Sequence, residues 1–266
     1  MAFHVVIPAR YASTRLPGKP LLDIVGRTMI QRVVERACAS SADQVLVATD
    51  DARIAAAVHD PRRPSATIAV MTDPSLPSGT DRVAVVAAGC GWSDDTVVVN
   101  VQGDEPFLPP ALIEQAAALL ERDPAAGIAT LAAPIASLAE FLDPNVVKVV
   151  TAHDAAALYF SRAPIPWTRD GAPGGLASQR QFAGALRHVG IYAYRVGALR
   201  RISRMAPSAL ETCEKLEQLR ALENGVRIAV GRCVELPEPG VDTEADLQRA
   251  RRKAAAFVRE AVHGGR

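Results

Sequence analysis

Short apolar runs alternate with helically spaced apolar positions along the first hundred residues of the chain. Four runs rich in β-branched residues and bounded by turn residues predict strands at Phe3 to Ile7, Gln44 to Thr49, Thr67 to Met71 and Thr96 to Val101. Between them, apolar residues recur at helical spacing after Thr28 and after Thr80-Asp81. Strands that alternate with helices favour an α/β fold, with a mostly parallel central sheet and helices on both faces.

The spacing of the apolar runs changes at about residue 146. Further runs lie close together at Val146 to Val150, Ala156 to Phe160 and His188 to Tyr194. We interpret this region as an inserted antiparallel layer within a single domain that covers residues 1 to 266. Helical patterns at about 209 to 223 and 243 to 262 predict the last two helices.

Composition and charge narrow the class of protein. With 266 residues, of which 49% are hydrophobic, the chain can bury a large core in one domain. The formal net charge of +1 argues against a broad basic field for nucleic acid, and no apolar run is long enough for a membrane span. Four widely spaced cysteines without a CxxC pair argue against a zinc site or a disulfide framework, so we interpret them as core thiols. Because no signal-peptide pattern is present, we expect a cytoplasmic protein that binds neither nucleic acid nor membrane.

The segment PARYASTRLPGKPL, residues 8 to 21, carries unopposed positive charge directly after the first predicted strand. It contains Arg10, Arg15 and Lys19, and no acidic residue appears before Asp23. Open α/β sheets bind ligands at the carboxyl ends of their strands, and a mixture of Arg and Lys suits a polyphosphate. The alternative is an ordinary basic surface loop. The dinucleotide pattern GxGxxG after the first strand and the phosphate-loop pattern GxxxxGK[ST] are both absent.

Asp104 lies in VVVNVQGDEPF, residues 97 to 107, a pattern typical of a buried strand that ends in a polar loop. A carboxylate past the end of a strand, opposite the basic loop, is well placed to hold Mg²⁺, which usually takes one or two carboxylates together with water and phosphates. The alternative for Asp104, and the one we favour for Glu105, is capping of a helix that begins after Pro109.

Two predicted helix starts add further candidates. Asp242 lies in PGVDTEADL, residues 239 to 247, where it either caps the helix or supplies a second carboxylate to the metal. The metal role requires the fold to return this residue to the edge of the sheet. The other start, LPSGTDR, offers backbone N–H groups and hydroxyls at Ser78, Gly79 and Thr80. Either these groups bind the edge of a small base, or the side chain of Thr80 simply caps the helix.

A set of polar residues accompanies the apolar runs of the second half, where a charge is costly without a partner. Its members are Arg162, Arg187, His188, Tyr192, Glu217 and Gln218. Such a set suits an acidic, hydroxylated substrate. Taken alone, the setting of His188 fits a structural histidine as well as a sugar ligand. Glu217 fits an ion pair along its helix with Lys215 or Arg220 as well as a sugar ligand.

Together, these segments resemble the family of 3-deoxy-manno-octulosonate (Kdo) cytidylyltransferases, the CMP-Kdo synthetases. The similarity extends from residue 1 to about 250 through PARYASTRLPGKPL, VATDD, SGTDR, VNVQGDEP, VKVV, ALYFSRAPIPW, RHVGIYAYR, LEQLR and GVDTEADL. The resemblance implies a nucleotide-diphospho-sugar transferase-like fold and a homodimer, with a small β-rich region at about 146 to 200 for sugar binding and dimerisation. It also implies transfer of CMP from CTP to the anomeric 2-hydroxyl of Kdo, which releases pyrophosphate and activates Kdo for lipopolysaccharide biosynthesis, with Mg²⁺ as cofactor.

The resemblance implies roles residue by residue. Nucleotide binding falls to Ala9, Arg10, Ser13, Arg15, Lys19, Ser78, Gly79, Thr80 and Arg82. Catalysis rests on Arg15, Lys19, Asp104 and Asp242, of which the two aspartates bind Mg²⁺. The sugar is surrounded by Gln102, Arg162, His188, Tyr192, Glu217 and Gln218, with Arg162 and His188 near its carboxylate. The general base has no candidate.

Three rival functions stay open. A cytidylyltransferase for sialic acid or another 2-keto sugar acid would share the phosphate loop and the metal aspartates. A glycosyltransferase would normally carry a DxD pair, where this chain has Gly103-Asp104-Glu105. A catalytically silent nucleotide-binding protein would lack at least one of four residues that are all present here: Arg10, Lys19, Asp104 and Asp242.

Overall fold

Strands and helices alternate along most of the chain, as the apolar pattern predicts. The structure is a computed structural model that describes residues 2–12, 15–59 and 68–263. Within these ranges the strands are β1 (Phe3–Ala9), β2 (Gln44–Thr49), β3 (Ile68–Met71), β4 (Val97–Asn100), β5 (Ile128–Pro134), β6 (Lys148–Thr151), β7 (Ala157–Ser161), β8 (Leu186–Arg195) and β9 (Ile228–Arg232). The α-helices are α1 (Met29–Cys38), α2 (Ala52–Val58), α3 (Gly79–Gly89), α4 (Pro110–Arg122), α5 (Leu138–Leu142), α6 (Val196–Ser203), α7 (Ala209–Glu214), α8 (Gln218–Glu223) and α9 (Glu244–His263).

One mixed sheet organises the molecule, with strand order β3-β2-β1-β4-β8-β5-β9. Every neighbouring pair is parallel except the two that involve β8, which runs antiparallel to β4 and β5. The predicted mostly parallel sheet is therefore confirmed. Thr67, the first residue of the predicted third strand, lies outside the described residues.

Successive residues of the central strands pack alternately into two hydrophobic cores, one on each face of the sheet. These strands are therefore mostly apolar along their length. Val5 and Ile7 of β1 pack with residues of α1, α2 and α4 on one face of the sheet. Val6, between them, packs with residues of α3, α6 and α8 on the other face. The prediction of helices on both faces is confirmed.

The region after residue 146 differs from the predicted inserted layer. The run that contains His188 belongs to β8, which is an internal strand of the main sheet. Only β6 and β7 stand outside the main strand order, where they pair with each other, and β6 also pairs with the start of β8. A strand buried between two parallel neighbours is apolar whichever way it runs, so the sequence pattern did not reveal its direction.

The predicted helix at 209 to 223 is two helices. Ser208 and Glu211 form a capping box at the start of α7, which ends at Lys215 with a left-handed φ of 55°. After this turn the chain begins α8 in a new direction, with Glu217 at its N-terminal boundary. The local sequence carries no glycine at the break, which is why periodicity alone predicts one continuous helix.

The interpretation of the cysteines as core thiols is wrong. Cys38, Cys90 and Cys213 are exposed and Cys233 is half-buried, and all four lie in the described residues without a disulfide between them. In the part of the chain that the structure describes, no helix combines the length and the apolarity needed to cross a bilayer.

Candidate active site

The carboxyl ends of β1 and β4 lie side by side and bring the basic loop against the loop of Asp104. Between the two loops is a cavity of about 330 Å³, which we call the first cavity. Eleven predicted site residues line it: Ala9, Arg10, Arg15, Lys19, Ser78, Gly79, Arg82, Gln102, Asp104, Glu217 and Asp242. The predicted nucleotide ligand Ser13 lies outside the described residues. The sheet thus gathers residues from both ends of the chain at one edge.

A left-handed glycine shapes the basic loop. Gly18 has φ of 66° and begins a short 3₁₀ turn over Lys19–Leu21. A Cβ atom at this position would lie 3.2 Å from the ring of Tyr11, a tight contact, and the positive φ would strain any residue with a side chain, so glycine favours this fold of the loop. The fold leaves 66% of the Arg15 side chain exposed but only 13% of the Lys19 side chain. Lys19 therefore points inward while Arg15 stays at the mouth of the cavity.

The two predicted metal ligands meet at the ammonium group of Lys19. Lys19 Nζ donates to Asp104 Oδ2 at 2.6 Å and to Asp242 Oδ1 at 3.0 Å. Arg15 Nη2 lies 3.2 Å from the same oxygen of Asp242. The backbone N–H of Val241 donates to the carbonyl of Asp104 at 2.9 Å, which fixes the turn before α9 against the loop after β4. The return of residue 242 to the sheet edge, which its metal role required, is present.

Helix capping does not account for either aspartate or for Glu105. The N-cap of α4 is Pro109, which has no side-chain cap bond. At the start of α9, the N–H of Asp246 donates to Thr243 Oγ1, and Asp246 Oδ2 accepts from the backbone N–H groups of Asp242 and Thr243.

The burial of Glu105 and, to a smaller extent, the negative charge of Asp104 raise the pKa of the Glu105 carboxyl to about 8. Glu105 therefore adds little negative charge to the site at neutral pH.

The donor set fits a magnesium ion that is completed by a ligand. Oxygen atoms of Asp104 and Asp242 already converge on one cationic group, the ammonium of Lys19. Across the described residues, no group of three His, Cys, Asp or Glu side chains surrounds a common point. Mg²⁺ typically binds one or two carboxylates and takes its other ligands from water and substrate phosphates, so two aspartates are sufficient.

Asp50 is a residue of this site that the sequence reasoning did not single out. It lies at the carboxyl end of β2, and its Oδ2 accepts from Arg82 Nη2 at 2.7 Å. Arg82 Nη1 also donates to Thr72 Oγ1 at 2.6 Å, while the backbone N–H of Tyr11 donates to Asp50 Oδ1 at 3.4 Å. Asp50 thus joins the basic loop to α3. The available signal was an aspartate directly after a buried strand, the same signal that identified Asp104.

The loop before α3 has different partners from those predicted. Ser78, rather than Thr80, caps the helix, and its hydroxyl accepts from the N–H of Asp81 at 3.1 Å. Thr80 Oγ1 instead donates to Glu217 Oε2 at 2.8 Å. Ser78 and Gly79 line the first cavity, whereas Thr80 lines the neighbouring one.

This neighbouring cavity has a volume of about 240 Å³, and we call it the second cavity. It shares four lining residues with the first: Ser78, Gly79, Gln102 and Glu217. The predicted sugar ligands Tyr192 and Gln218 line only the second cavity. Tyr192 lies level with Asn100 of β4, which places its ring at the same sheet edge. The two cavities are therefore adjacent, with Gln102 and Glu217 in the wall between them.

The break between α7 and α8 determines where Glu217 lies. Across the break, Arg220 Nε of α8 donates to Glu211 Oε2 of α7 at 2.7 Å. At the end of α7, Glu214 Oε1 accepts from the hydroxyl of Ser161 at 2.6 Å. Arg220 is thus paired with Glu211, and Glu217 is left to bond Thr80 across the cavity wall, so the alternative of a helix pair between Glu217 and Arg220 does not hold.

The other predicted sugar ligands, Arg162 and His188, line neither cavity. Arg162 Nε donates to the carbonyl of Glu214 at 2.7 Å, and His188 Nε2 lies 2.9 Å from Thr130 Oγ1. Arg187 pairs with Glu140 at 3.2 Å. The proximity of Arg162 and His188 to a sugar carboxylate stays a prediction.

The burial of His188 makes a testable contribution to stability. Burial lowers the pKa of His188 from 6.5 to about 3, so between these values the unfolded chain binds a proton that the folded chain does not. Because of this residue, the free energy of unfolding should therefore decrease by about 1.4 kcal/mol for each unit by which the pH is lowered within this window. Urea denaturation between pH 6.5 and 4.5 is expected to show a weaker pH dependence for His188→Gln than for the wild type. Parallel profiles would contradict the assignment.

Comparison with known proteins places this chain in a family. A family model described as cytidylyltransferase matches residues 4–228. A 3-deoxy-manno-octulosonate cytidylyltransferase of Thioalkalivibrio sulfidiphilus (strain HL-EbGR7) is 52% identical over 251 residues, which cover 94% of this chain and 97% of the relative. The protein of the same name from Alcanivorax borkumensis is 51% identical over 253 residues, with 94% and 98% covered. That of Pseudomonas syringae pv. syringae is 52% identical over 255 residues, with 94% and 97% covered.

A solved structure extends the likeness to the whole fold. CMP:2-keto-3-deoxy-manno-octonic acid synthetase, solved in complex with CTP, superposes with a TM-score of 0.84 and 42% sequence identity. The match covers 97% of this chain and all of the other. Because relatives with about 50% sequence identity to this chain align with it over nearly their full length, the chain belongs to the 3-deoxy-manno-octulosonate cytidylyltransferases, a family of nucleotidyltransferases.

Proposed function

We propose that this chain transfers CMP from CTP to the anomeric 2-hydroxyl of Kdo and releases pyrophosphate. The observation that carries the proposal is the pair of adjacent cavities at one sheet edge. The first is lined by the basic loop and by the carboxylates of Asp104, Asp242 and Glu217, and the lining of the second includes hydroxyl, carboxamide and aromatic groups. This division suits a nucleoside triphosphate beside a hydroxylated acid, with the reacting atoms near the shared wall.

The chain's own residues act by positioning and by balancing charge. In the reaction, the 2-hydroxyl loses its proton to water and its oxygen forms a bond to the α-phosphorus as the bond from that phosphorus to pyrophosphate breaks. We assign Arg10, Arg15 and Lys19 to the triphosphate, since Arg offers a fork of donors for phosphate oxygens and Lys a mobile charge. Little covalent chemistry is required of the protein, so its rate acceleration comes from holding the two reactants in line and neutralising charge.

Asp104 and Asp242 would hold Mg²⁺, which when bound neutralises charge on the α-phosphate and helps to orient the incoming hydroxyl. Ser78 and Gly79 are assigned to the cytosine, with Arg82 held behind them by Asp50. Gln102, Tyr192, Glu217 and Gln218 are assigned to the sugar because they line the second cavity. Arg162 and His188 are assigned to its carboxylate on the family resemblance alone.

Several wider properties belong to the same proposal. The family resemblance supports a cytoplasmic homodimer that is folded as one domain, with the β-rich region at about 146 to 200 serving sugar binding and dimerisation. CTP and Kdo are its substrates, and the CMP-Kdo product would supply lipopolysaccharide biosynthesis.

The experiment is an assay of pyrophosphate release from CTP and Mg²⁺ with Kdo, with N-acetylneuraminate, and without a sugar. Release with Kdo alone is expected. Release with N-acetylneuraminate would reassign the sugar pocket to sialic acid while keeping the nucleotide site. No release with either sugar would favour a silent nucleotide-binding protein and overturn the proposal.

A further inference from the structure

The ammonium group of Lys19 lies between the two carboxylates that would hold a divalent cation. It is within hydrogen-bonding distance of Asp104 Oδ2 and Asp242 Oδ1 at the same time. With 13% of its side chain exposed, Lys19 is held inside the site, whereas Arg15 lies beside Asp242 and is 66% exposed. The Lys19 ammonium therefore lies between the two carboxylates, whereas the Arg15 guanidinium lies beside one of them.

A magnesium ion and this ammonium group cannot both use these two oxygens without strong repulsion. Mg²⁺ binds carboxylate oxygens at about 2.0–2.1 Å. Because Lys19 Nζ is only 2.6 Å from Asp104 Oδ2, a metal on that oxygen would lie within about 5 Å of the ammonium nitrogen. Like charges at this distance repel, and the repulsion is stronger in a partly buried site than in water.

We propose that Lys19 is a built-in counter-cation of the aspartate pair, which it releases when the triphosphate arrives. Without nucleotide, its ammonium offsets part of the negative charge of the pair and keeps divalent metal affinity low. The flexible four-carbon stem lets the ammonium turn to the phosphates, whose charge attracts it away from the carboxylates. Metal binding and CTP binding thereby favour each other, since each removes an obstacle to the other. This inference rests on the metal site of the proposed function.

The test measures Mn²⁺ binding to the full chain without nucleotide, by electron paramagnetic resonance of the free ion. Lys19→Met keeps the length of the stem and removes the charge, and we expect it to bind Mn²⁺ at least about tenfold more tightly than the wild type. Arg15→Met is the matched control, because it removes a neighbouring positive charge that is exposed. Its gain should be less than about threefold.

A second variant locates the gain and guards against misfolding. Adding Asp104→Asn to Lys19→Met should abolish the increased affinity, since one of the two carboxylates is then lost. Thermal unfolding checks that each variant is folded. If Lys19→Met does not fold, Lys19→Gln replaces it in the same comparison.

Three outcomes would overturn the inference. Equal Mn²⁺ affinity of wild type and Lys19→Met, whether tight or weak, would show that Lys19 does not restrain the metal. An equal gain in Mn²⁺ affinity in Arg15→Met would show that the loss of any nearby positive charge produces the effect. A gain that survives Asp104→Asn would place the metal elsewhere. The proposed function fails separately, when the wild type releases no pyrophosphate from CTP with either sugar acid.

Discussion

Asp104→Asn is expected to lower the turnover of CTP and Kdo by at least about a hundredfold, the cost of removing one preorganised electrostatic group. The amide keeps the shape of the side chain but loses the charge that faces Lys19 and that would hold the metal. The measurement is the rate of pyrophosphate release at saturating CTP and Kdo over a series of Mg²⁺ concentrations.

Glu105→Gln is the matched control for this variant. It makes the same change of carboxylate to amide at the next residue, but the pKa of Glu105 is raised to about 8 by its burial, so little charge is lost at neutral pH. Most of the turnover should remain. Near-normal Mg²⁺-dependent turnover in Asp104→Asn would remove Asp104 from the mechanism.

Asp50→Asn is expected to lower the free energy of unfolding by about 3 kcal/mol or more, because it leaves the charge of Arg82 buried without an ionic partner. The side chains of Arg82 and Asp50 are only 3% and 12% exposed, so little water reaches the pair in the folded protein. The same variant should weaken CTP binding, since Asp50 also accepts from the N–H of Tyr11 in the basic loop. Urea denaturation and a CTP titration measure the two effects.

Asp94→Asn is the control for the loss of an ion pair as such. Its carboxylate pairs with Arg200 at 2.6 Å, but 71% of the Asp94 side chain is exposed. An exposed pair typically contributes about 0–1 kcal/mol. Equal destabilisation by Asp50→Asn and Asp94→Asn would mean that the burial of Arg82 is not the source of the effect.

The position of a residue at the end of a strand was the most informative feature of the sequence. The basic loop and Asp104 follow β-branched runs that are buried strands, and parallel strands deliver such residues to one edge. That rule alone brought Lys19 and Asp104 together. Asp242 needed the family resemblance, because no local pattern shows that the turn before α9 folds back 223 residues along the chain to Lys19.

What the sequence could not show depends on long-range packing. Lys215 adopts a left-handed conformation that its residue type does not favour, and the contacts of Glu211 and Glu214 hold it there. The role of Thr80 was missed for the same reason, since its partner Glu217 is 137 residues away. A hydroxyl near a helix start predicts a cap, and only the fold reveals that the neighbouring Ser78 provides it.

The contact between residue 242 and the sheet edge has a consequence for synthesis of the protein. Lys19 and Asp104 emerge from the ribosome well before Asp242, whose carboxylate and whose neighbouring Val241 N–H complete the edge. At elongation rates of about 5–20 residues per second, the stretch between Asp104 and Asp242 takes roughly 7 to 30 seconds to synthesise. A nascent chain can thus build β1 to β5 before the residues that close this edge of the sheet against Lys19 and Asp104 have been synthesised.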